Sequence, residues 1–192
     1  KRVLHFPAVG SKQFLITIGD RSITGLVACQ QMVGPWQVPV SDVAVMHRDY
    51  DGYNGEAFSV GERSPLAKIN PAAAARMAIA ESLTNLVSAD CDSLDRVVFS
   101  ANWMAASGSN IEDQALFDSV KAIGEGLCPQ LGMAIPVGKD SLSMRTTWRE
   151  EGKEKSVLSP VSLIASAFAP VKDVRLTTTP VLLDREGTVL VL

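Results

Sequence analysis

Apolar residues along this chain gather into short runs, and the polar residues between the runs mark turns and helix ends. Strands are predicted at residues 13–18, 38–46, 97–102 and 133–137. A helix is predicted from Asn70 to about Ala89, because Asn70 can cap its first turn and Pro71 fits inside that turn. A second helix is predicted at residues 111–127, opened by Asn110. This alternation favours a mixed sheet packed on helices.

The C-terminal third contains a charged turn between two apolar stretches. Residues 149–155 are predicted as the tip of a hairpin that joins residues 144–148 to a long apolar strand at residues 161–168. The tip is interpreted as a solvated turn rather than as a binding patch. With these strands the predicted fold class is α+β, a mixed four- to five-stranded sheet packed on helices.

Two regions are expected along the chain. Residues 1–175 are predicted to form one domain, and residues 176–192 to be a connector followed by the first strand of a truncated domain. That last strand, residues 187–192, has no partner after it, and the chain does not begin with methionine. Both ends are therefore expected to be cut from a longer protein.

Composition excludes several classes of function. The chain has 192 residues, of which 46% are hydrophobic, and a net charge of -3. It therefore has enough apolar residues for one core but no basic surface that would bind a nucleic acid. The chain has no run of about eighteen apolar residues, so no membrane span is expected. Three widely spaced cysteines, Cys29, Cys91 and Cys128, indicate a reducing, cytoplasmic location and no structural zinc.

The first helix carries the first candidate binding residues. Glu81 and Asn85 are four residues apart and so share one helix face. A carboxylate and an amide oxygen are hard donors that suit Mg²⁺ beside phosphate oxygens, although the same spacing also fits a polar face in water. Asp42 lies within an apolar strand, where a metal or a basic side chain would offset its desolvation.

A second candidate follows the strand at residues 133–137. Gly138, Lys139, Asp140 and Ser141 combine a flexible backbone, a cation and a hydroxyl, which fits either a phosphate-binding loop or a simple turn. Lys12, just before the first predicted strand, fits either a phosphate contact or a solvated lysine. Residues 61–63 are interpreted as a loop that can hold an ion pair. No nucleophile with an adjacent base is apparent.

Five strings together resemble one enzyme family, the large single-chain phosphoribosylformylglycinamidine synthase, also called formylglycinamide ribonucleotide amidotransferase. The resemblance covers nearly the whole chain, and it rests on the order and spacing of the strings. They are Gln31-Met-Val-Gly-Pro-Trp-Gln-Val-Pro-Val40, Gly61-Glu-Arg-Ser-Pro-Leu-Ala67, Ala80-Glu-Ser-Leu-Thr-Asn-Leu86, Ser100-Ala-Asn-Trp-Met-Ala105 and Pro136-Val-Gly-Lys-Asp-Ser-Leu-Ser-Met144.

The resemblance implies an architecture and a binding site. The chain is similar to the N-terminal domain of the second half of the synthetase region, a duplication of the fold of aminoimidazole ribonucleotide synthetase. Two such domains pack sheet to sheet, with nucleotide sites at the seam. The resemblance implies that Asp42, Glu81 and Asn85 bind the Mg²⁺ of an ATP or ADP molecule, that Ser41 contacts the nucleotide and that Lys12 reaches its phosphates. By analogy within the superfamily, Lys139, Asp140 and Ser141 lie near nucleotide phosphates.

The resemblance also implies an activity and partners. The parent enzyme would be an ATP- and glutamine-dependent ligase of purine biosynthesis, and this fragment alone would be inactive. Its partners would be the first synthetase repeat and a glutaminase domain, and the isolated fragment is expected to form a homodimer through its uncovered sheet. A structural ADP-binding and dimerisation module without catalytic residues is the alternative.

One departure from the family pattern separates this chain from its relatives. They carry a doubled glycine and then Ala-Arg-Asp-Gln or His-Arg-Asp-Gln before the Met-Val-Gly-Pro-Trp string. This chain has Thr24 and Gly25, and then Ala28, Cys29 and Gln30. The charged contact that the Arg-Asp pair could make is therefore not expected here. Selenophosphate synthetase and thiamine monophosphate kinase fit less well, because the Gly-Pro-Trp-Gln and Ala-Asn-Trp-Met strings are not typical of them.

Overall fold

A computed structural model describes residues 1–11, 13–19, 21–22, 25–182, 184 and 187. Its main feature is a sheet of five strands in the order β1-β2-β7-β3-β4, beside a separate two-stranded hairpin of β5 and β6. The strands are β1 Val43–His47, β2 Gly55–Glu62, β3 Val98–Met104, β4 Ala134–Ser141, β5 Arg145–Glu150, β6 Lys153–Leu158 and β7 Ser162–Val171. Pairing is antiparallel throughout the large sheet except between β3 and β4, which are parallel. The predicted mixed α+β fold is therefore confirmed.

Helices accompany the sheet. The α-helices are α1 Pro7–Gly10, α2 Pro71–Leu86, α3 Asn110–Lys121 and α4 Cys128–Leu131. Short 3-10 turns cover Val3–His5, Ser64–Lys68, Leu94–Arg96 and Val174–Leu176, and π-helical turns cover Leu15–Gly19 and Ala122–Leu127. None of the described helices is both long and apolar enough to cross a membrane.

The core lies between α2 and one face of the large sheet. Ile79 and Leu86 of α2, Val45 of β1 and Phe99 of β3 are almost completely buried there. Burying side chains of this size contributes about 1.5 to 3 kcal/mol each, so this layer is the main source of stability. The opposite face of the sheet, which we call the outer face, leaves large apolar side chains exposed. They are Met46, Phe58, Val60, Val98 and Phe168.

Helix α2 begins and is held as its sequence predicts. The Asn70 side chain accepts a hydrogen bond from the backbone N–H of Ala73 at 2.9 Å, and Pro71 occupies the first turn. The helix packs very closely on β2, whose residues Ala57 and Ser59 face it. The Ser59 hydroxyl donates to the carbonyl oxygen of Ser82 in α2 at 2.7 Å. This close contact fixes the position of α2 along β2.

Residues 13–18 do not form the predicted strand. They are helical, and they include a π-helical turn at Leu15–Gly19. Thr17 donates its hydroxyl to the carbonyl oxygen of Gln13 at 2.8 Å, which is a helical contact four residues back. Phe14, Ile16 and Ile18 are all exposed, so their alternation does not mark a buried strand face.

Strand β2 and the arms of the hairpin also differ from the prediction. Residues 55–62 form a full strand next to β1, so residues 61–62 end a strand rather than lie in a loop. The arm that follows the charged tip is β6, and it pairs with β5. The apolar strand predicted for that place, β7, instead lies in the middle of the large sheet. The sharp turn is made at Glu151 and Gly152, both with positive φ.

The helical segment that begins with α3 is longer than predicted and extends to Leu131. After α3, a π-helical turn leads into α4, which contains Pro129 near its start, where a missing N–H does no harm. Strand β4 is also longer than predicted. It continues through Gly138 to Ser141, so these residues lie within a strand and not in a loop after it. Residues 188–192 of the predicted last strand lie outside the described residues, and the boundary at residue 175 stays a prediction.

Candidate functional site

A cleft of about 580 Å³ opens beside the edge strand β1. Its walls come from β1, the end of β2, one face of α2 and the chain at residues 27–31. Four of the residues that the sequence singles out line this one cleft. They are Ser41, Asp42, Glu81 and Asn85. The segment just before β1 and the helix face that carry the predicted ligands therefore border one depression.

Ser41 and Asp42 line the cleft just before β1, which begins at Val43, so Asp42 does not lie inside a strand as the sequence predicted. Asp42 is exposed and directly precedes Val43, which pairs with Ser59 of β2. No hydrogen bond or ion pair joins the Asp42 carboxylate to any other described residue, so both of its oxygens are available to coordinate a cation. Ser41 is half-buried, and its hydroxyl donates to the carbonyl oxygen of Val43 at 3.0 Å. This contact leaves the lone pairs of the hydroxyl oxygen available as acceptors.

Glu81 and Asn85 reach the same place from successive turns of α2. The Asn85 side-chain N–H group donates to the carbonyl oxygen of Val60 at 3.0 Å, which leaves its amide oxygen available as a donor to a cation. The Glu81 carboxylate accepts from the backbone N–H of Glu62 at 2.8 Å and pairs with the Arg63 guanidinium at 3.2 Å. Both side chains are therefore oriented by the end of β2.

This donor set suits a divalent cation that is shared with another ligand. Among the described residues, no three side chains of the His, Cys, Asp and Glu types come together as a metal cage. A cation here would therefore use the Asn85 amide oxygen with the carboxylates of Asp42 and Glu81. Mg²⁺ commonly takes one or two carboxylates and completes its shell with water and phosphate oxygens. The residues fit that kind of site.

The other predicted binding residues lie elsewhere. Lys139, Asp140 and Ser141 belong to β4, which is the far edge strand of the sheet from β1. Lys139 donates to the Ser141 hydroxyl at 2.8 Å. Three strands separate β4 from β1, which is roughly 19 Å at the usual spacing of neighbouring strands. These three residues are not part of the cleft, and Lys12 lies outside the described residues.

Two charged residues that line the cleft were not predicted as ligands. Glu62, at the end of β2, adds a further carboxylate, which accepts a hydrogen bond from the Ser64 hydroxyl at 2.8 Å. Arg21 adds a cation and is half-buried. Glu62 was within a string that the sequence marked, but its placement depends on β2, which was not foreseen. Arg21 follows a turn in sequence and gave no spacing pattern of its own.

Residues 11–170 match the family described as the FGAR-AT PurM_N-like domain, which is more than four-fifths of the chain. The chain belongs to this family. The match confirms the resemblance that the five sequence strings carry. FGAR-AT denotes formylglycinamide ribonucleotide amidotransferase, and the matched range contains the cleft residues Asp42, Glu81 and Asn85.

Solved structures of PurL proteins from Thermotoga maritima have the same fold. PurL in complex with ADP matches with a TM-score of 0.60 and 16% identity, over 86% of this chain and 24% of that one. The PurLQS structure matches with a TM-score of 0.54 and 18% identity, over 78% of this chain and 22% of that one. PurL in complex with FGAR matches with a TM-score of 0.53 and 18% identity, over 73% of this chain and 21% of that one. The chain therefore spans about a fifth to a quarter of the length of these proteins.

Proposed function

We propose that this domain binds a magnesium nucleotide, ATP or ADP, in the cleft beside β1. Asp42, Glu81 and Asn85 would hold the cation, and Ser41 would contact the nucleotide. The proposal is supported by the position of all four residues, two just before β1 and two on one face of α2, around a single cleft. The PurL complex with ADP among the structures of similar fold supports a nucleotide as the ligand class. Mg²⁺, when bound, would neutralise phosphate charge.

The parent protein is proposed to be the ligase that converts formylglycinamide ribonucleotide, ATP and glutamine to formylglycinamidine ribonucleotide, ADP, phosphate and glutamate. In that reaction the amide oxygen is phosphorylated, and ammonia released from glutamine displaces the phosphate. This chain would be the N-terminal domain of the second synthetase repeat, in a cytoplasmic enzyme. Because the chain spans only about a fifth to a quarter of the length of the PurL proteins, the 192-residue chain alone is expected to be inactive.

The outer face of the sheet supports a proposal about partners. The Phe58 and Phe168 rings pack there at a tilt of 33° with centroids 5.0 Å apart, and Met46 and Val98 are also exposed on this face. An uncovered apolar surface of this kind favours association. In the parent protein we propose that the first synthetase repeat covers this face, and that two copies of the isolated chain cover each other. Analytical ultracentrifugation should show a dimer that Phe58→Glu dissociates, and a monomer at high concentration would refute the pairing.

Isothermal titration calorimetry of the chain with ADP and excess Mg²⁺ tests the nucleotide proposal. Asp42→Asn replaces a charged carboxylate ligand with a neutral amide of nearly equal volume, so we expect the affinity for ADP in the presence of Mg²⁺ to fall about tenfold or more. Asp51→Asn is the matched control, because Asp51 is exposed, carries the same charge and lies outside the cleft. Equal loss in both variants, or no binding by the unaltered chain, would contradict the proposal.

A structural role for the nucleotide is the second candidate. The same cleft residues could serve only to stabilise the domain, because each of them is proposed as a ligand of the cation or of the nucleotide. Asp42→Ala in the full-length enzyme separates the two roles. Lower folding stability with unchanged turnover per folded molecule would favour the structural module. Lower turnover with unchanged stability would favour a part in the reaction.

A further inference from the structure

Arg21 is a charged residue of the candidate nucleotide cleft with no role in the proposal above. Its guanidinium is held from two directions. Nε donates to the side-chain oxygen of Gln30 at 3.2 Å, and Nη1 donates to the carbonyl oxygen of Thr17 at 3.4 Å. Both acceptors are neutral. Among the described residues, no carboxylate lies close enough to Arg21 to form an ion pair with it.

This arrangement keeps opposite charges apart within one cleft. The carboxylates of Asp42, Glu62 and Glu81 line it together with Arg21, yet the guanidinium pairs with none of these three. Oppositely charged side chains that moved freely in this cleft would form ion pairs, because pairing lowers the electrostatic energy. The hydrogen bonds to Gln30 and Thr17 therefore hold the Arg21 guanidinium away from the three carboxylates. A cation would bind at the carboxylates, and an anion would bind at the guanidinium. A metal ion with a phosphate group has this pattern of charge.

We propose that Arg21 binds a phosphate group of the nucleotide whose cation is held by Asp42, Glu81 and Asn85. The inference rests on the proposed nucleotide site and adds a phosphate ligand to it. A guanidinium has five N–H donors, and two are used by Gln30 and Thr17, so N–H groups remain for phosphate oxygens. Gln30 positions Arg21 through an uncharged contact, and the full positive charge therefore stays available to the ligand.

Substitution of Arg21 separates phosphate binding from cation binding. We expect Arg21→Gln to weaken binding of ADP with Mg²⁺ by about tenfold, the usual scale for loss of a charge-assisted hydrogen bond. Binding of Mn²⁺ alone, followed by electron paramagnetic resonance, should be unchanged or slightly tighter, because a nearby positive charge is removed. Arg21→Lys should recover part of the ADP affinity, since lysine keeps the charge without the planar fork.

A second variant tests the same claim without altering Arg21. Gln30→Glu places a carboxylate against the Nε of Arg21 and compensates its charge, so ADP affinity should again fall several-fold. Gln130→Glu, exposed on α4 and outside the cleft, makes the same charge change and should leave the affinity unchanged. If Arg21→Gln does not fold, Gln30→Glu decides.

Three results would overturn the inference. Unchanged ADP affinity in both Arg21→Gln and Gln30→Glu would refute a phosphate contact while leaving the nucleotide proposal intact. A parallel loss of ADP and Mn²⁺ binding in Arg21→Gln would show that Arg21 only maintains the shape of the cleft. If the unaltered chain bound neither Mn²⁺ nor ADP, the proposed function and this inference would both fail.

Discussion

Gly61 of β2 packs against the backbone of α2, the helix that carries the candidate ligands Glu81 and Asn85. A Cβ atom built on Gly61 would lie 2.0 Å from the carbonyl oxygen of Ala78 and 2.6 Å from the backbone nitrogen of Ser82. Both atoms belong to the backbone of α2, so no side-chain rotation can relieve the contact. To reach the ordinary separation of 3.4 Å from the oxygen, Gly61→Ala must move α2 away from β2 by about 1.4 Å.

This displacement has a cost in stability and a consequence at the cleft. Overpacking a well-packed interface costs about 1 to 3 kcal/mol, and the gain from restricting the unfolded chain offsets at most about 1 kcal/mol. We therefore expect Gly61→Ala to lower the free energy of unfolding by about 2 kcal/mol. Because α2 carries Glu81 and Asn85, its retreat would also loosen their hydrogen bonds to β2, and ADP affinity should fall with stability.

Urea denaturation followed by circular dichroism measures the first effect. With a slope of about 2 kcal/mol per molar urea, the unfolding midpoint should fall by about 1 M. Gly124→Ala is the control, because nothing lies within 4 Å of a Cβ at Gly124 and the backbone there is helical. It should leave stability unchanged or raise it by up to about 1 kcal/mol. A Gly61→Ala midpoint equal to that of the unaltered chain would refute the close packing of β2 on α2.

Three further changes have expected outcomes. Asn70→Ala removes the cap of α2 and should cost about 1 kcal/mol, seen as a fall of about 3 °C in the midpoint of thermal unfolding; no change would contradict the capping contact. Hydrogen bonds from Arg175 lower the pKa of Asp173 to about 2, so the stabilising contribution of this carboxylate should be present above about pH 4 and lost as the pH falls towards 2. Titration of the Asp173 carboxyl by NMR should have its midpoint near 2, and a midpoint near 4 would argue against the pair. Arg63→Gln frees one Glu81 oxygen from a partly exposed ion pair, so Mn²⁺ affinity should rise by up to about fivefold with little change in stability; weaker Mn²⁺ binding would show that Arg63 is needed to orient Glu81.

Local chemistry made helix α2 predictable from the sequence. The Asn70 cap and Pro71 act within one turn, and the alanine-rich run after them has high helix propensity. The spacing of Glu81 and Asn85 then placed both residues on one face without any tertiary information. These features depend only on neighbours in sequence, and for this reason they were correct.

Strand β2 was missed because its buried face is made of small residues. Gly55, Ala57, Ser59 and Gly61 form this face, and at Gly61 the backbone of α2 approaches so closely that a larger side chain would not fit. Along β2, small residues alternate with residues of varied size and polarity. The sequence therefore lacks the alternating large apolar residues that would predict a strand. Without β2, the sequence could not predict that Glu62 joins the cleft.

The predictions for residues 13–18 and for residues 138–141 were wrong for other reasons. Residues 13–18 alternate like a strand, but a strand needs an edge to pair with, and pairing is decided by tertiary structure. Residues 138–141 look like a loop because of Gly138, yet they continue β4. The Cβ of any larger residue at Gly138 would lie 2.4 Å from the carbonyl oxygen of Ala101, so this glycine permits close approach of β3.

Soaking a crystal of the chain with Mn²⁺ and ADP would show whether Asp42, Glu81 and Asn85 bind the cation of a nucleotide. Mn²⁺ replaces Mg²⁺ at oxygen ligands and scatters anomalously, so its position can be located without assumptions about the nucleotide. We expect one anomalous peak within about 2.5 Å of oxygens of Asp42, Glu81 and Asn85, with ADP phosphate density beside it. Nucleotide density at Lys139 on the far edge of the sheet, with no peak in the cleft beside β1, would contradict it.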